Sequence, residues 1–263
     1  MKHVNIGDVR VSRFILGSNP FSGFSHQGIE EDSAMRHYYT AARIKETIRN
    51  AESLGIDTLI ARADQHVIRV LMEYWDEGGT VQWFSQTCPE LGSPESSINR
   101  AKNYGAAACY IHGGVADNLF ANDKLDRIPP LIERIKEEGM LAGIAGHVPG
   151  VHEWAEEHLD VDFHMCCHYN PIPRDDIPEH VSGCKEAYLE EDRRRMTETV
   201  QRLSKPVIHY KIMAAGRNDP NEAFAYAAKA MRPNDAVCVG VYTKDNPDML
   251  KQDVALLEKH LGA

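Results

Sequence analysis

From Phe14 onward, short apolar runs alternate with amphipathic segments whose apolar residues recur at helical spacing. The apolar runs are FILGSNP (14–20), DTLIAR (57–62), VQWFSQT (81–87), ACYIHGG (108–114), LAGIAGH (141–147), VDFHMCCHYN (161–170), PVIHYKIMAAG (206–216) and AVCVGVY (236–242). Between them the pattern predicts helices over 40–54, 65–77, 93–104, 125–138, 151–158, 187–203, a segment opening at Asp219, and 248–261. The punctuation agrees with this division. Gly55, Gly78, Gly105 and Gly139 close helices, Ser93-Pro94 supplies an N-cap and a first-turn proline, and Asp219-Pro220-Asn221-Glu222 has the spacing of a capping box.

Eight strand-helix pairs with no hairpin signal between them predict a parallel sheet. Its economical closure is an α/β (β/α)8 TIM barrel, one domain spanning residues 1–263. A doubly wound open sheet would need a glycine-rich first turn, and Gly17-Ser18-Asn19-Pro20 is no dinucleotide fingerprint. The long connections, 21–39, 115–124 and 171–186, follow the first, fourth and sixth strands. All three run from strand to helix, on the barrel face that carries chemistry.

The run from Val161 to Arg174 is the most reactive stretch. Strand alternation predicts that His164, Cys166 and His168 share the inward face, with His168 and Asn170 at the carboxyl edge. The other strand ends add Arg62, Asp64, Gln86, Glu90, His112, His147, Lys211 and Tyr242. Because His112, His147 and His168 end neighbouring strands, they are expected to converge on a divalent metal ion such as Zn²⁺, with Glu90 or Asp64 as a further ligand or base. The alternative is a set of buried histidines satisfied by structural partners. Lys211 suits a Schiff-base nucleophile, a general base or an oxygen clamp, or else a rim lysine with its charge in solvent. Arg62 and Arg217, the latter after the small-residue loop Ala214-Ala215-Gly216, suit anionic groups, while Gln86, Asn170 and Tyr242 offer polar contacts to a substrate.

Composition narrows the setting. A net charge of −10 without clustered Lys and Arg argues against nucleic acid. No apolar run reaches membrane length, and the six cysteines form no CxxC pair, so reduced thiols and a cytoplasmic location are expected. The expected partner is a small, polar, anionic molecule, and assembly as a homo-oligomer is compatible with the sequence.

Several motifs resemble the aldo-keto reductase superfamily: VSRFILGSN, LGIDTLIAR, YIHGG, HYNPIPR and VGVYTKDNPDMLKQDVALL. The resemblance implies the same barrel, a catalytic histidine at His112, the strand-six turn at Tyr169-Asn170-Pro171, and nicotinamide cofactor chemistry. It also marks departures. The family's strand-three lysine meets Gln86, no tyrosine follows the second strand, the family aspartate reaches Asp57 only with a shifted register, and the cofactor-phosphate pattern is missing. The leading expectation is therefore metal-assisted lyase, isomerase or hydrolase chemistry on a polar carbonyl or sugar-derived substrate. In it His112, His147 and His168 hold the metal and Glu90 or Lys211 moves the proton. The alternatives are an NAD(P)-linked reductase with His112 and a rearranged acid at Lys211 or Tyr210, and a non-catalytic ligand-binding barrel.

Overall fold

The computed structural model describes residues 1–262. An antiparallel hairpin, β1 (His3–Ile6) and β2 (Val9–Ser12), precedes the first strand-helix pair and turns at Gly7, whose backbone is left-handed (φ 57°). Its residues Val4, Ile6 and Val11 are buried together with Ile15, Phe84 and Phe163 of the barrel interior. Asp57 pins the hairpin by accepting from the Ser12 backbone N–H at 2.8 Å and pairing with His3 at 3.1 Å. The amino-terminal end of the barrel is thus closed, and access is left to the other end.

The barrel strands are β3 (Phe14–Gly17), β4 (Thr58–Arg62), β5 (Gln82–Gln86), β6 (Ala108–Ile111), β7 (Leu141–Gly146), β8 (Phe163–Cys167), β9 (Val207–Tyr210) and β10 (Ala236–Gly240). Each pairs in parallel with its neighbours in chain order, and β10 closes on β3. The helices are α1 (Ile29–Tyr38), α2 (Ala41–Ser53), α3 (Gln65–Asp76), α4 (Pro94–Asn103), α5 (Gly113–Ala121), α6 (Pro129–Glu137), α7 (Pro149–His158), α8 (Glu190–Val200), α9 (Pro220–Ala230) and α10 (Met249–His260). Ser93 caps α4 and Asp219 caps α9 through the Glu222 N–H at 3.0 Å, as their spacing predicts. Two expected loops contain helices instead. Residues 29–38 form α1, and 113–121 form α5, whose N-cap is His112, its Nδ1 accepting from the Gly114 N–H at 3.1 Å. The connection from β8 to α8 remains long and irregular.

The faces of β8 are the reverse of the expectation. Phe163 and Met165 point into the barrel, whereas Cys166 packs against Met196 and Val200 of α8. His164 meets His152 of α7 at 3.2 Å, and His168 meets His209 of β9 at 3.0 Å, with Tyr226 of α9 beside it. A parallel barrel buries both faces of every strand, so alternation of polar and apolar residues does not tell inside from outside. Volume decides: Phe163 fills the space over Gly143 on β7, its register partner.

Candidate active site

The carboxyl ends of the strands surround a cavity of about 570 Å³. Three residues of its wall, His26 (φ 57°), Lys211 (φ 56°) and Ala215 (φ 54°), hold a left-handed backbone. That conformation costs an L-residue about 1–2 kcal/mol, and such strain gathers at functional sites.

The cavity floor carries a three-residue relay. Tyr210, the last residue of β9, places its hydroxyl 3.4 Å from Nε2 of His147, which follows β7. On the other side of the ring, Nδ1 lies 2.6 Å from the buried Asp117 carboxylate of α5. A carboxylate only accepts, so Nδ1 carries the proton and Nε2 presents its lone pair to the tyrosine. Asp117 also accepts from the backbone N–H groups of His147 (2.9 Å) and Val148 (3.2 Å), which fixes the start of α7 to α5. Gly113 lets the groups meet, since a Cβ there would stand 3.0 Å from the Tyr210 hydroxyl and 3.1 Å from the His147 ring. Burial opposes the His147 imidazolium, but Cys167 and Asp117 outweigh it and raise the pKa above the usual histidine value. Burial, with Cys167 and Asp117 nearby, keeps the Tyr210 phenol protonated well beyond its ordinary range.

Around this relay stand His112, Gln86, Tyr110, Arg62, Arg174 and Lys211. Tyr110 donates to Gln86 Oε1 at 2.8 Å. Burial, then His147 and Arg174, hold His112 neutral. Arg62 is already neutralised by Asp64 (2.9 Å) and Glu90 and lies 4.8 Å over the Phe24 ring. Arg174 and Lys211 differ. Neither has a carboxylate within ion-pair distance among the described residues, although Arg174 is only 7% exposed and donates to the Glu179 carbonyl at 2.6 Å. Burial lowers the Lys211 pKa. Two cations facing a cavity without counter-charges suit an anionic ligand.

The expected residues divide accordingly. His112, His147, Lys211, Arg62, Gln86 and Tyr242 line the cavity. Glu90 does not; it is spent on Arg62. Asn170 does not line it; its backbone N–H is bound to Asp192 of α8. Arg217 is held outside the cavity, donating to the carbonyls of Ala214 (3.1 Å) and His26 (2.8 Å) and stacking 4.5 Å from the Tyr188 ring. The expected metal triad fails for the same reason as the β8 register: His168 lies on the helix side. Nδ1 of His112 accepts from the Gly114 N–H, so its neutral ring carries the proton on Nε2, and among the described residues no third donor stands close enough to His112 and His147 to share an ion. Asp57 sits at the closed end of the barrel and takes no part. Asp117 and Arg174 were missed, because Asp117 lies thirty positions from its partner His147 and Arg174 in an irregular loop.

A dinucleotide also fits poorly. Near β10 and α10 the wall carries Glu31, Asp245 and Asp253 and no Lys or Arg. The loop after Lys211 offers little either, its Ala214, Gly216, Arg217 and Asn218 N–H groups being bound to local carbonyls. A diphosphate would meet carboxylates there rather than donors.

The fold is a closed parallel (β/α)8 barrel. No protein-family model matches the chain, and no curated relative does. Among solved structures, a Pseudomonas aeruginosa protein provisionally assigned to the aldo-keto reductases aligns over 98% of this chain and 96% of its own at 18% identity, with a TM-score of 0.63. A glycerol dehydrogenase from Gluconobacter oxydans aligns over 99% and 96% at 11% identity and 0.60. A truncated 3-deoxy-D-arabino-heptulosonate 7-phosphate synthase from Thermotoga maritima does so over 99% and 91% at 13% identity and 0.59. Identities this low establish the architecture and leave the reaction to the site.

Proposed function

We propose that the protein is an enzyme acting at the carbonyl or alcohol oxygen of a small, polar, anionic compound, with Tyr210 exchanging a proton with that oxygen. The observation that carries this reading is the Tyr210–His147–Asp117 relay on the cavity floor. As negative charge develops on the substrate oxygen, the phenol donates its proton to it; His147, in the imidazolium form that Asp117 favours, gives its Nε2 proton to the phenolate and takes a proton back from solvent. Arg174 and Lys211 hold the anionic group, and Tyr110 with Gln86 contacts a hydroxyl. Apolar wall residues, Ile60 and Met165 among them, limit water around the reacting bond.

The proton step serves enolisation and carbonyl reduction alike. A second reading, an NAD(P)-linked oxidoreductase, is favoured by the fold, which is shared with proteins described as an aldo-keto reductase and a glycerol dehydrogenase. Tyr210 would replace the acid that does not follow β4 in this chain. The acidic wall near α10 weighs against it.

One experiment separates the readings. A panel of sugar acids and hydroxy-carbonyl compounds is incubated with protein in deuterated water, with and without nicotinamide dinucleotides, and followed by proton NMR beside nicotinamide fluorescence. Deuterium incorporation without dinucleotide, lost in Tyr210→Phe, supports the proton-transfer enzyme. Turnover only with dinucleotide supports the reductase. If no compound reacts and Tyr210→Phe binds anionic ligands like the wild type, the site is a non-catalytic binding pocket.

A further inference from the structure

A smaller cavity of about 150 Å³ opens beside the large one, between the loop after β3 and the irregular connection from β8 to α8. Its wall brings together His26, His180 and Glu186, whose donor atoms all lie within 4.8 Å of one another. His26 Nδ1 stands 2.7 Å from Glu186 Oε1, and His180 Nδ1 stands 3.9 Å from the same oxygen. Among the described residues no other group of three such side chains meets this closely. None of them belongs to the Tyr210 relay.

We propose that His26, His180 and Glu186 form a binding site for a divalent first-row transition metal ion such as Zn²⁺, which ties the two long loops together at the cavity mouth. Two imidazoles and a carboxylate are a donor set for such ions, and they leave coordination positions open. His180 Nδ1 is buried without a hydrogen-bond partner, a cost that coordination removes. Ligation through His26 Nδ1 moves the ring proton from its bond with Glu186 to Nε2. Donors in a tetrahedral site stand about 3.3 Å apart at the usual bond lengths, so the His26–Glu186 pair at 2.7 Å opens and the wider separations close, each within reach of side-chain movement. Asp32 and Cys184 line the same cavity, and at His180 Asp32 offsets part of the positive charge of Lys211 and Arg174. His26 is held in left-handed backbone, which aims its ring at a glutamate 160 residues further along. His26 and His180 also border the large cavity, so the open positions face the space where a substrate would sit.

This inference does not rest on the proposed reaction, and its test reads binding. Tag-free, chelator-treated protein is titrated with Zn²⁺ by calorimetry and with Co²⁺ by visible absorption, beside His180→Ala and Glu186→Gln. Limited proteolysis follows the connection between residues 170 and 189. The expected result is one ion per chain, Co²⁺ bands of a nitrogen-oxygen site, and protection of that connection by metal. Each variant should lose more than the roughly 10–100-fold in affinity that an outer-shell substitution costs. No binding tighter than millimolar, or binding that both variants retain, overturns the proposal. Should His180→Ala fail to fold, His180→Gln, which keeps a polar side chain of similar reach but no imidazole, gives the same reading.

Discussion

Replacing Asp117 tests the relay without knowledge of the substrate. The carboxylate accepts from three donors: the His147 backbone N–H, the Val148 backbone N–H, and His147 Nδ1 at 2.6 Å. Asp117→Ala leaves all three without an acceptor. A buried donor left unpaired costs about 1–3 kcal/mol, and water from the adjoining cavity recovers part of the sum, so the expected loss is about 3–5 kcal/mol, that of a broken buried charged pair. Asp117→Asn keeps an oxygen for the backbone donors but turns an NH₂ group toward Nδ1. The imidazole must then carry its proton on Nε2 and can no longer accept from Tyr210. This variant is expected to fold with a loss of about 1–2 kcal/mol and to lower the His147 pKa. The His147 pKa is raised in the folded state, so the stability it contributes is fully present below the unfolded value of 6.5 and is lost as pH rises through the folded value. The gap between wild type and Asp117→Asn should therefore narrow as pH increases from about 6 to about 9. Urea unfolding across that range measures the gap, and nitrogen-15 NMR of the imidazole reads tautomer and pKa. An Asp117→Ala loss below about 1 kcal/mol, or a His147 pKa that Asp117→Asn leaves unchanged, would refute the relay.

The remaining expectations concern positions around it. Gly143→Ala places a Cβ 2.4 Å from the Phe163 ring and should cost about 1–3 kcal/mol in urea unfolding, with part restored by adding Phe163→Leu. His168→Ala should cost about 2 kcal/mol by leaving His209 without its partner, yet change neither metal binding nor the His147 tautomer by NMR. Asp253, on α10, has its pKa pushed up to about 7 by burial, so its charged form weakens the fold by an amount that is absent below about pH 4, grows up to pH 7 and is constant above. Asp253→Asn should accordingly stabilise the protein by about 1–3 kcal/mol at pH 8 and leave it unchanged near pH 4, as thermal unfolding at the two pH values would show.

The barrel was legible because its signals are local and repeated. Apolar runs, helical periodicity, and caps such as Ser93 and Asp219 recur in each unit and fall where the helices begin. What stayed hidden depends on contacts across the chain. The hairpin over 3–12 reads as a polar terminus until its Val4, Ile6 and Val11 are seen to fill the closed end. The inward face of β8 is set by the space over Gly143, which alternation within the strand does not encode. His168 was therefore assigned to the cavity although its partner is His209, while His26, His180 and Glu186, separated by up to 160 positions, gave no spacing to read.

These departures follow one rule of the architecture. The carboxyl ends of all eight strands meet around one cavity, so a group needed at the substrate oxygen can be supplied from any of them. The chain has no tyrosine after β4, where Asp64 instead caps α3, but it has one at the end of β9, three strands away around the barrel and lining the same cavity. The relocation changes the chemistry of the acid. A tyrosine there meets a histidine fixed by a buried carboxylate, with a glycine at position 113 making room, instead of a lysine on β5, where Gln86 stands. Arg174 and Lys211 have no carboxylate within ion-pair distance among the described residues, and an anionic substrate of the kind proposed would supply that charge.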